Sequence, residues 1–267
     1  MFLRTILLSV LIIFKTTLSW SAPERLALLI GNQNYENGSL TNPVNDINII
    51  SKALKQKGFK VLLKKDLDYK DFRKALEEFS NLVSSSGKDV TALFYYAGHG
   101  IQYDGANYLV PIASKIKNSL DIDVETINLK RVFSSLHTTE GIKIILLDAC
   151  RNNPYKSFMR SPTRGLAQIK TPTGTIIGYS TAPGEVAEDG FGNNSPYALS
   201  LLEAINTPGL SIEQVLKNTR ISVIKKTAAK QIPWDASSLT KDFYFEKLKL
   251  SKAINNKNKN ISNKIKI

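Results

Sequence analysis

The chain has 267 residues, of which 42% are hydrophobic and 22% charged, as is ordinary for a soluble globular protein. This length suits one domain with tails, and the composition excludes a chain that is disordered throughout. The formal net charge is +13, and the single cysteine excludes a disulfide framework within the chain.

The N-terminal residues form a segment of their own. Arg4 precedes an apolar run, Thr5 to Phe14, which is too short for a bilayer core that takes about 20 residues to cross. The pattern predicts a secretory signal peptide over residues 1–21, cleaved after Ser21 or Ala22, and hence a periplasmic or secreted protein. An uncleaved N-terminal anchor is the alternative. No later stretch is apolar enough to predict a transmembrane span in the mature protein.

Strand and helix patterns alternate through the next part of the chain. Arg25 to Gly31 is a short apolar run that ends in glycine, which is typical of a buried strand. Asn42 is expected to cap a helix that has Pro43 at its first position and ends at Gly58. A strand, a helix and a third strand are predicted over 60–64, 69–83 and 90–97. This order predicts an α/β domain with a largely parallel sheet.

The second half of the chain continues the pattern. Asp104-Gly105 lies between alternating residues and predicts the turn of a β-hairpin. Lys143 to Leu147 and Thr175 to Ser180 are predicted as further core strands, and Asp242 to Phe245 as the closing strand. Two helices are expected over 195–204 and 211–227.

Residues 246–267 differ from the domain before them, which is predicted to span 22–245. From Lys241 to the C-terminus, eight lysines stand against Asp242 and Glu246 in a sequence of low complexity. This composition predicts a basic, disordered tail. Such a tail either keeps the protein soluble or makes weak contact with an anionic surface, and no specific nucleic-acid partner is predicted.

Reactive side chains stand at the predicted ends of two core strands. One strand runs into Gly98-His99-Gly100 and the next into Asp148-Ala149-Cys150. Because the working groups of open parallel sheets gather beyond the carboxyl ends of the strands, His99 and Cys150 are expected to face each other. An imidazole can activate a thiol at neutral pH and later protonate a leaving amine. A small buried side chain is the alternative for a lone cysteine.

Two other motifs indicate no further site. His137 does not follow a predicted strand and is not flanked by glycines. It is therefore expected at the surface, or in the core with its hydrogen bonds satisfied. The segment from Gly178 to Ala182 resembles the elbow of serine hydrolases but lacks its final glycine.

A series of motifs, in their order and spacing, resembles the caspase-like cysteine peptidases, particularly bacterial metacaspase-like members. They are LALLIGNQNY, the Asn45-Asp46 pair, FYYAGHG, NYLVP, IILLDACRNNP, GYSTAPGEVAEDG, NSPYALSLLEAI, and the closing QIPWDASSL with DFYF. The histidine precedes the cysteine by 51 positions, close to the family's spacing of about 50. The resemblance implies a three-layer α/β/α sandwich around a mostly parallel sheet of about six strands.

The resemblance also implies roles for individual residues. Cys150 is the expected nucleophile, and His99 the general acid and base of a catalytic dyad. The backbone N–H groups of Gly100 and Cys150 are expected to form the oxyanion hole. Some relatives need calcium, but Asp121 and Asp123 are too few to assign a site, so no metal ligand or cofactor is predicted.

Three carboxylates set the expected specificity. Asp148 stands where caspases have glutamine, Asp189 falls where they place an arginine, and Asp46 matches an aspartate of the metacaspase pocket. Such a pocket should reject Asp and accept Arg or Lys, because a charge pair about 4 Å apart at an effective dielectric of about 20 is worth roughly 4 kcal/mol. The alternatives are a first-turn charge for Asp46, a structural acceptor for Asp148 and a loop residue for Asp189.

The expected activity is that of a cysteine endopeptidase that cuts protein or peptide substrates after Arg or Lys. One alternative is a catalytically silent binding or scaffold module on the same fold in the cell envelope. Another is a hydrolase or transferase that acts on non-peptide acyl groups. Self-cleavage is a further hypothesis, because the loop 151–174 offers Arg160, Arg164 and Lys170 as basic sites.

Overall fold

The structure is a computed structural model that describes residues 23–149, 166–185, 187, 189–190 and 192–248. The predictions for the signal peptide, for Cys150 itself and for the end of the basic tail lie outside the described residues. Within those residues, no helix is long and apolar enough to cross a membrane.

The described strands, in chain order, are β1 (Arg25–Gly31), β2 (Lys60–Lys65), β3 (Thr91–Gly98), β4 (Gly100–Tyr103), β5 (Ala106–Leu109), β6 (Ile127–Asn128), β7 (Lys143–Ala149), β8 (Thr175–Tyr179) and β9 (Trp234–Ser237). The helices are α1 (Pro43–Gln56), α2 (Tyr69–Ser85), α3 (Ile122–Glu125), α4 (Leu129–Ser135), α5 (Pro196–Ile205) and α6 (Ile212–Lys226).

A six-stranded sheet forms the centre of the fold. Its strands lie in the order β2-β1-β3-β7-β8-β9, with β9 antiparallel to β8 and all other neighbours parallel. Every residue of β3 is buried, as expected for a parallel strand that is covered on both faces. The predicted α/β domain with a mostly parallel sheet of about six strands is confirmed.

Helices cover both faces of this sheet. One hydrophobic cluster contains side chains of α2 and α4, and a second contains side chains of α1, α5 and α6. Neighbouring residues of β1 alternate between the clusters, since Leu28 belongs to the first and Leu29 to the second. The result is the expected three-layer α/β/α sandwich.

The prediction of a closing strand over Asp242–Phe245 is wrong. Tyr244 makes an isolated bridge there, and the sixth strand is β9. The Phe243 and Phe245 rings instead pack against Phe59, with ring centroids 6.3 and 6.1 Å apart. Alternating aromatic residues thus bury their rings in a cluster without forming a sheet strand.

A small three-stranded antiparallel sheet, β4-β5-β6, follows directly after β3. The hairpin predicted at Asp104-Gly105 joins β4 to β5. The two turn residues have φ values of 47° and 70°, the left-handed conformation that a two-residue type I′ turn requires. His99 therefore lies at the junction of the two sheets.

Candidate active site

His99 lies between the last residue of β3 and the first residue of β4, and it is 2% exposed. Gly98 precedes it at a point of close approach. A Cβ atom added to Gly98 would come within 2.6 Å of the hydroxyl oxygens of Tyr35 and Tyr96. Glycine is therefore required for these two hydroxyls to reach the backbone of His99.

Hydrogen bonds from three separate segments hold the backbone of His99. Its N–H donates to the Tyr35 hydroxyl at 2.9 Å. Its carbonyl accepts from the Tyr96 hydroxyl at 2.9 Å and from the Val110 N–H at 3.0 Å. Because all of these groups are buried, the position of the histidine is fixed together with the end of the central sheet.

The ring of His99 has a defined tautomer. It packs against the Tyr35 ring, with centroids 4.4 Å apart, and its Nε2 lies 2.6 Å from the carbonyl oxygen of Gly38. A carbonyl oxygen only accepts, so Nε2 carries a proton and Nδ1 is the basic nitrogen of the neutral ring. Gly38 lies between β1 and α1 and was not predicted as a site residue.

The pairing of β3 with β7 places side by side the two residues that precede His99 and Cys150 in the sequence. Gly98 is the register partner of Ala149, and these residues immediately precede His99 and Cys150 in the sequence. Cys150 lies outside the described residues, so its role as nucleophile stays a prediction. Gly100 begins β4, where an added Cβ atom would lie 3.1 Å from the Cβ of Ala149, and its oxyanion role also stays a prediction.

Two of the predicted pocket carboxylates are fully buried and share a partner residue. Asp46, in the first turn of α1, accepts from the Ser195 N–H at 3.0 Å and from the Asn194 side-chain amide at 2.9 Å. Asp148, on β7, accepts from the Ser195 hydroxyl at 2.6 Å and from the Tyr95 hydroxyl at 3.4 Å. The structure thus brings Asp46 and Asp148 together around Ser195.

Asp46 lies in the first turn of α1 and is 0% exposed. Its position therefore fits both a first-turn charge and a pocket role, and the pocket role stays a prediction. The hydrogen bonds of Asp148 fit both a pocket role and a structural role. Ser195 was not predicted as a site residue. Its sequence signals are its place in the motif NSPYALSLLEAI and the pattern of a serine before a helix that begins with proline.

Asp189 contacts the loop before α1. Its carboxylate oxygen Oδ2 accepts from the Thr41 N–H at 2.8 Å, and its backbone carbonyl accepts from the Asn42 side-chain amide at 2.5 Å. Asn42 occupies the N-cap position of α1, but its side chain makes no capping hydrogen bond. The predicted position of the cap is therefore confirmed, but the capping hydrogen bond is not, because the Asn42 side-chain amide bonds Asp189 instead. A substrate contact of Asp189 stays a prediction.

Tyr197 is a residue of α5 that lies near the carboxylate of Asp148. Its side chain is 1% exposed, and its hydroxyl has no hydrogen-bond partner within the described part of the chain. Burial raises the pKa of Tyr197, and the negative charge of Asp148 raises it further. Gly178 makes room for this hydroxyl, since an added Cβ atom would lie 3.0 Å from it.

The remaining sequence candidates lie elsewhere. His137 is exposed, and its Nδ1 bonds the carbonyl of Ser134 at 2.5 Å, which confirms the expected surface position. Ser180 is buried, and its hydroxyl donates to the carbonyl of Ala149 at 3.3 Å. This serine supports the end of β7 and is not presented as an exposed nucleophile.

Asp121 and Asp123 are engaged by protein groups. Asp121 accepts from the N–H groups of Lys117 and Asn118, and Asp123 accepts from the Tyr108 hydroxyl at 3.0 Å. Among the described residues, no three His, Cys, Asp or Glu side chains are grouped so that they could hold a metal ion.

Comparisons with known proteins identify the family. The caspase domain family matches residues 24–244. Human mucosa-associated lymphoid tissue lymphoma translocation protein 1 is 32% identical over 182 residues, which cover 64% of this chain and 20% of that protein. Its homologue from Mus musculus is 31% identical over the same length, with the same shares covered. The chain thus spans about a fifth of the length of these relatives.

A solved structure shows the same fold. The crystal structure of caspase-1 from Spodoptera frugiperda has a TM-score of 0.63 at 18% identity, and the match covers 85% of this chain and 93% of that one. The family match extends from just before β1 to beyond β9, so it includes the whole central sheet. The chain therefore belongs to the caspase domain family of cysteine peptidases.

Proposed function

We propose that this chain is a cysteine endopeptidase that cuts polypeptides after Arg or Lys, with Cys150 as nucleophile and His99 as general acid and base. One observation carries the dyad. His99 donates through Nε2 to Gly38, which makes Nδ1 the base, and it stands at the strand end whose register partner, Ala149, precedes Cys150.

The proposed reaction follows the chemistry of acyl transfer. Nδ1 of His99 takes the proton of the Cys150 thiol, and the thiolate forms a bond to the carbonyl carbon of the substrate. The backbone N–H groups of Gly100 and Cys150 stabilise the oxyanion of the tetrahedral intermediate. The imidazolium then protonates the leaving amine, and water, deprotonated by His99, hydrolyses the thioester and releases the thiol.

Asp46 and Asp148 support the proposed preference for a basic residue. They are buried and lie around one serine, so a cation that reaches them meets two carboxylates in a low-dielectric site. Arg and Lys side chains make charge-assisted hydrogen bonds to such groups, whereas a substrate carboxylate is repelled. A third carboxylate from Asp189 stays a prediction.

A thiol-directed covalent probe with Arg at the cleavage position tests this proposal. It should label the wild type but neither Cys150→Ala nor His99→Ala, and an aspartate probe should not label the wild type. We expect His99→Ala to lower the labelling rate about 10²–10⁴-fold. Absence of labelling in folded, calcium-supplemented protein would favour the scaffold alternative, and labelling by the aspartate probe would contradict the basic pocket.

We also propose self-cleavage in the loop after Cys150. Arg160 and Arg164 lie outside the described residues, but Lys170 is exposed in a segment without helix or strand. An exposed, irregular segment is a favourable protease substrate. Denaturing gels should show fragments for the wild type and an intact band for Cys150→Ala, and identical intact bands would rule the proposal out.

Export and surface contact are proposed on sequence grounds alone. The signal peptide over residues 1–21 predicts a mature protein that begins after Ser21 or Ala22. The mass of the protein purified from its native cell measures this directly, and an intact N-terminus would instead support the anchor. Weak contact of the basic tail with an anionic surface is tested by vesicle sedimentation with and without residues 246–267.

A further inference from the structure

Ser195 makes two different hydrogen bonds through one hydroxyl group. It is the N-cap of α5, and its Oγ accepts from the Ala198 N–H at 2.9 Å. The same Oγ lies 2.6 Å from Oδ2 of Asp148. Because the helix N–H is already a donor to Oγ, the single hydroxyl proton is the one that bonds Asp148.

The backbone of Ser195 serves the other carboxylate. Its N–H donates to Oδ1 of Asp46 at 3.0 Å, and the Asn194 side-chain amide donates to the same oxygen at 2.9 Å. Oδ1 of Asp46 is thus bonded by two adjacent residues, whereas Oδ2 of Asp148 is bonded by Ser195 and by Tyr95. Ser195, Asp46 and Asp148 are each 0% exposed, so water does not replace a lost donor and each hydrogen bond to a carboxylate counts strongly.

We propose that Ser195 is a specificity-determining positioning residue that sets the relative orientation of Asp46 and Asp148 toward the cationic side chain of the substrate. This inference rests on the proposed function. Without the serine hydroxyl, Asp148 loses the shorter of the two hydrogen bonds to Oδ2, at 2.6 Å from Ser195 against 3.4 Å from Tyr95. Its carboxylate then no longer meets the cation at the same angle. Recognition of charge then weakens, whereas recognition of a neutral side chain of the same shape does not.

Two thiol-directed peptide probes that differ only at the cleavage residue, Arg or its neutral isostere citrulline, measure this effect. The readout is the ratio of their inactivation rate constants. We expect Ser195→Ala to lower the Arg-to-citrulline ratio about tenfold, because a buried hydrogen bond to a charged group is lost. Ser195→Thr keeps a hydroxyl and should restore most of the ratio.

A matched control separates positioning from helix capping. Ser211 is the N-cap of α6, where its Oγ accepts from the Gln214 N–H at 3.4 Å. Ser211→Ala therefore loses a cap without touching the carboxylates, and its ratio should equal that of the wild type. Asn194→Ala removes one donor to Asp46 from a half-buried position and should lower the ratio by a smaller factor than Ser195→Ala.

The outcomes separate this inference from the proposed function. If Ser195→Ala slows both probes equally and leaves the ratio unchanged, Ser195 is a helix cap alone and the inference fails while the proposed function stands. If Ser195→Ala does not fold, Asn194→Ala decides, and an unchanged ratio there overturns the inference. A wild type that reacts equally with both probes overturns the basic pocket and the positioning role together.

Discussion

The two parts of the proposed site are held in different ways. His99 is fixed through its backbone, by Tyr35, Tyr96 and Val110 at the junction of two sheets. Asp46 and Asp148 are fixed through their carboxylates, and Ser195 lies 149 positions after Asp46 in the chain. A change in the backbone contacts of His99 disturbs the junction of the two sheets. A change at Asn194 or Ser195 removes a hydrogen-bond donor from a carboxylate and leaves the sheets in place. Specificity should therefore be easier to change than catalysis without loss of the fold.

Asp148→Asn should have the largest effect on this comparison. It keeps the shape and an acceptor oxygen for Ser195 but removes the charge. We expect the rate with an Arg probe to fall about 10²–10³-fold, because the charge pair is worth roughly 4 kcal/mol at an effective dielectric of about 20. The rate with a citrulline probe should stay near that of wild type. Asp71→Asn, at an exposed position of α2, is the control, and an equal fall with both probes would show that charge is not the cause.

Tyr35→Phe attacks the histidine part of the site. It removes the hydroxyl that accepts from the His99 N–H and leaves that buried donor without this acceptor. We expect the free energy of unfolding to fall by about 1–3 kcal/mol, and kcat to fall while KM for an Arg substrate stays constant. Denaturant unfolding and steady-state kinetics measure both. A rise in KM with kcat unchanged would contradict the separation of the two parts.

Tyr197→Phe is the matched change in the carboxylate part. The Tyr197 hydroxyl is buried, and it has no hydrogen-bond partner among the residues that the structure describes. Removing it relieves an uncompensated burial of a polar group, so we expect the free energy of unfolding to stay within about 1 kcal/mol of wild type or to rise. If Tyr197→Phe lowers the free energy of unfolding as much as Tyr35→Phe does, the Tyr197 hydroxyl makes a stabilising hydrogen bond of its own.

The smallest effect should appear at alkaline pH. Burial, followed by the charge of Asp148, raises the pKa of Tyr197 in the folded protein. The unfolded chain therefore ionises first, near pH 10, and stability that is complete below this pH is lost as the pH rises toward the folded pKa. Unfolding between pH 9 and 11 should show a shallower loss for Tyr197→Phe than for wild type. Burial also raises the pKa of Tyr108, so Tyr197→Phe should still lose some stability at alkaline pH. Identical pH–stability curves for the variant and the wild type would show that Tyr197 is not the group responsible.

The sequence predicted the parts of the fold that depend on local pattern. The alternation of apolar strands and amphipathic helices located the central sheet, and the Asp104-Gly105 turn located the hairpin. The rule that reactive groups gather at strand ends pointed to His99 and Cys150, and His99 follows the fully buried strand β3. These signals lie within a few residues of the feature that they predict. The role of Asp148 came from the family resemblance.

The missed features depend on contacts between distant segments. Gly38 has no side chain, and Ser195 stands in the sequence as an ordinary helix-capping serine. Only the folded chain brings Gly38 to His99 and Ser195 to the two carboxylates. Strand β9 has half-exposed residues and no buried apolar face, so its sequence gives no strand pattern. The alternation of Phe243 and Phe245 with polar residues predicted a strand, but the two rings instead pack against each other in an aromatic cluster.

The strand order also determines when each part of the site can form during synthesis. The three groups described above that bond the His99 backbone lie at or before Val110, so they have been made once Val110 has been added to the chain. Tyr95, which bonds Asp148, is also made early, but the donors from Asn194 and Ser195 emerge only later. Since a chain is made from its N-terminus, a nascent molecule contains the partners of the His99 backbone well before it contains Asn194 and Ser195. If the proposed function holds, selectivity is acquired late in synthesis.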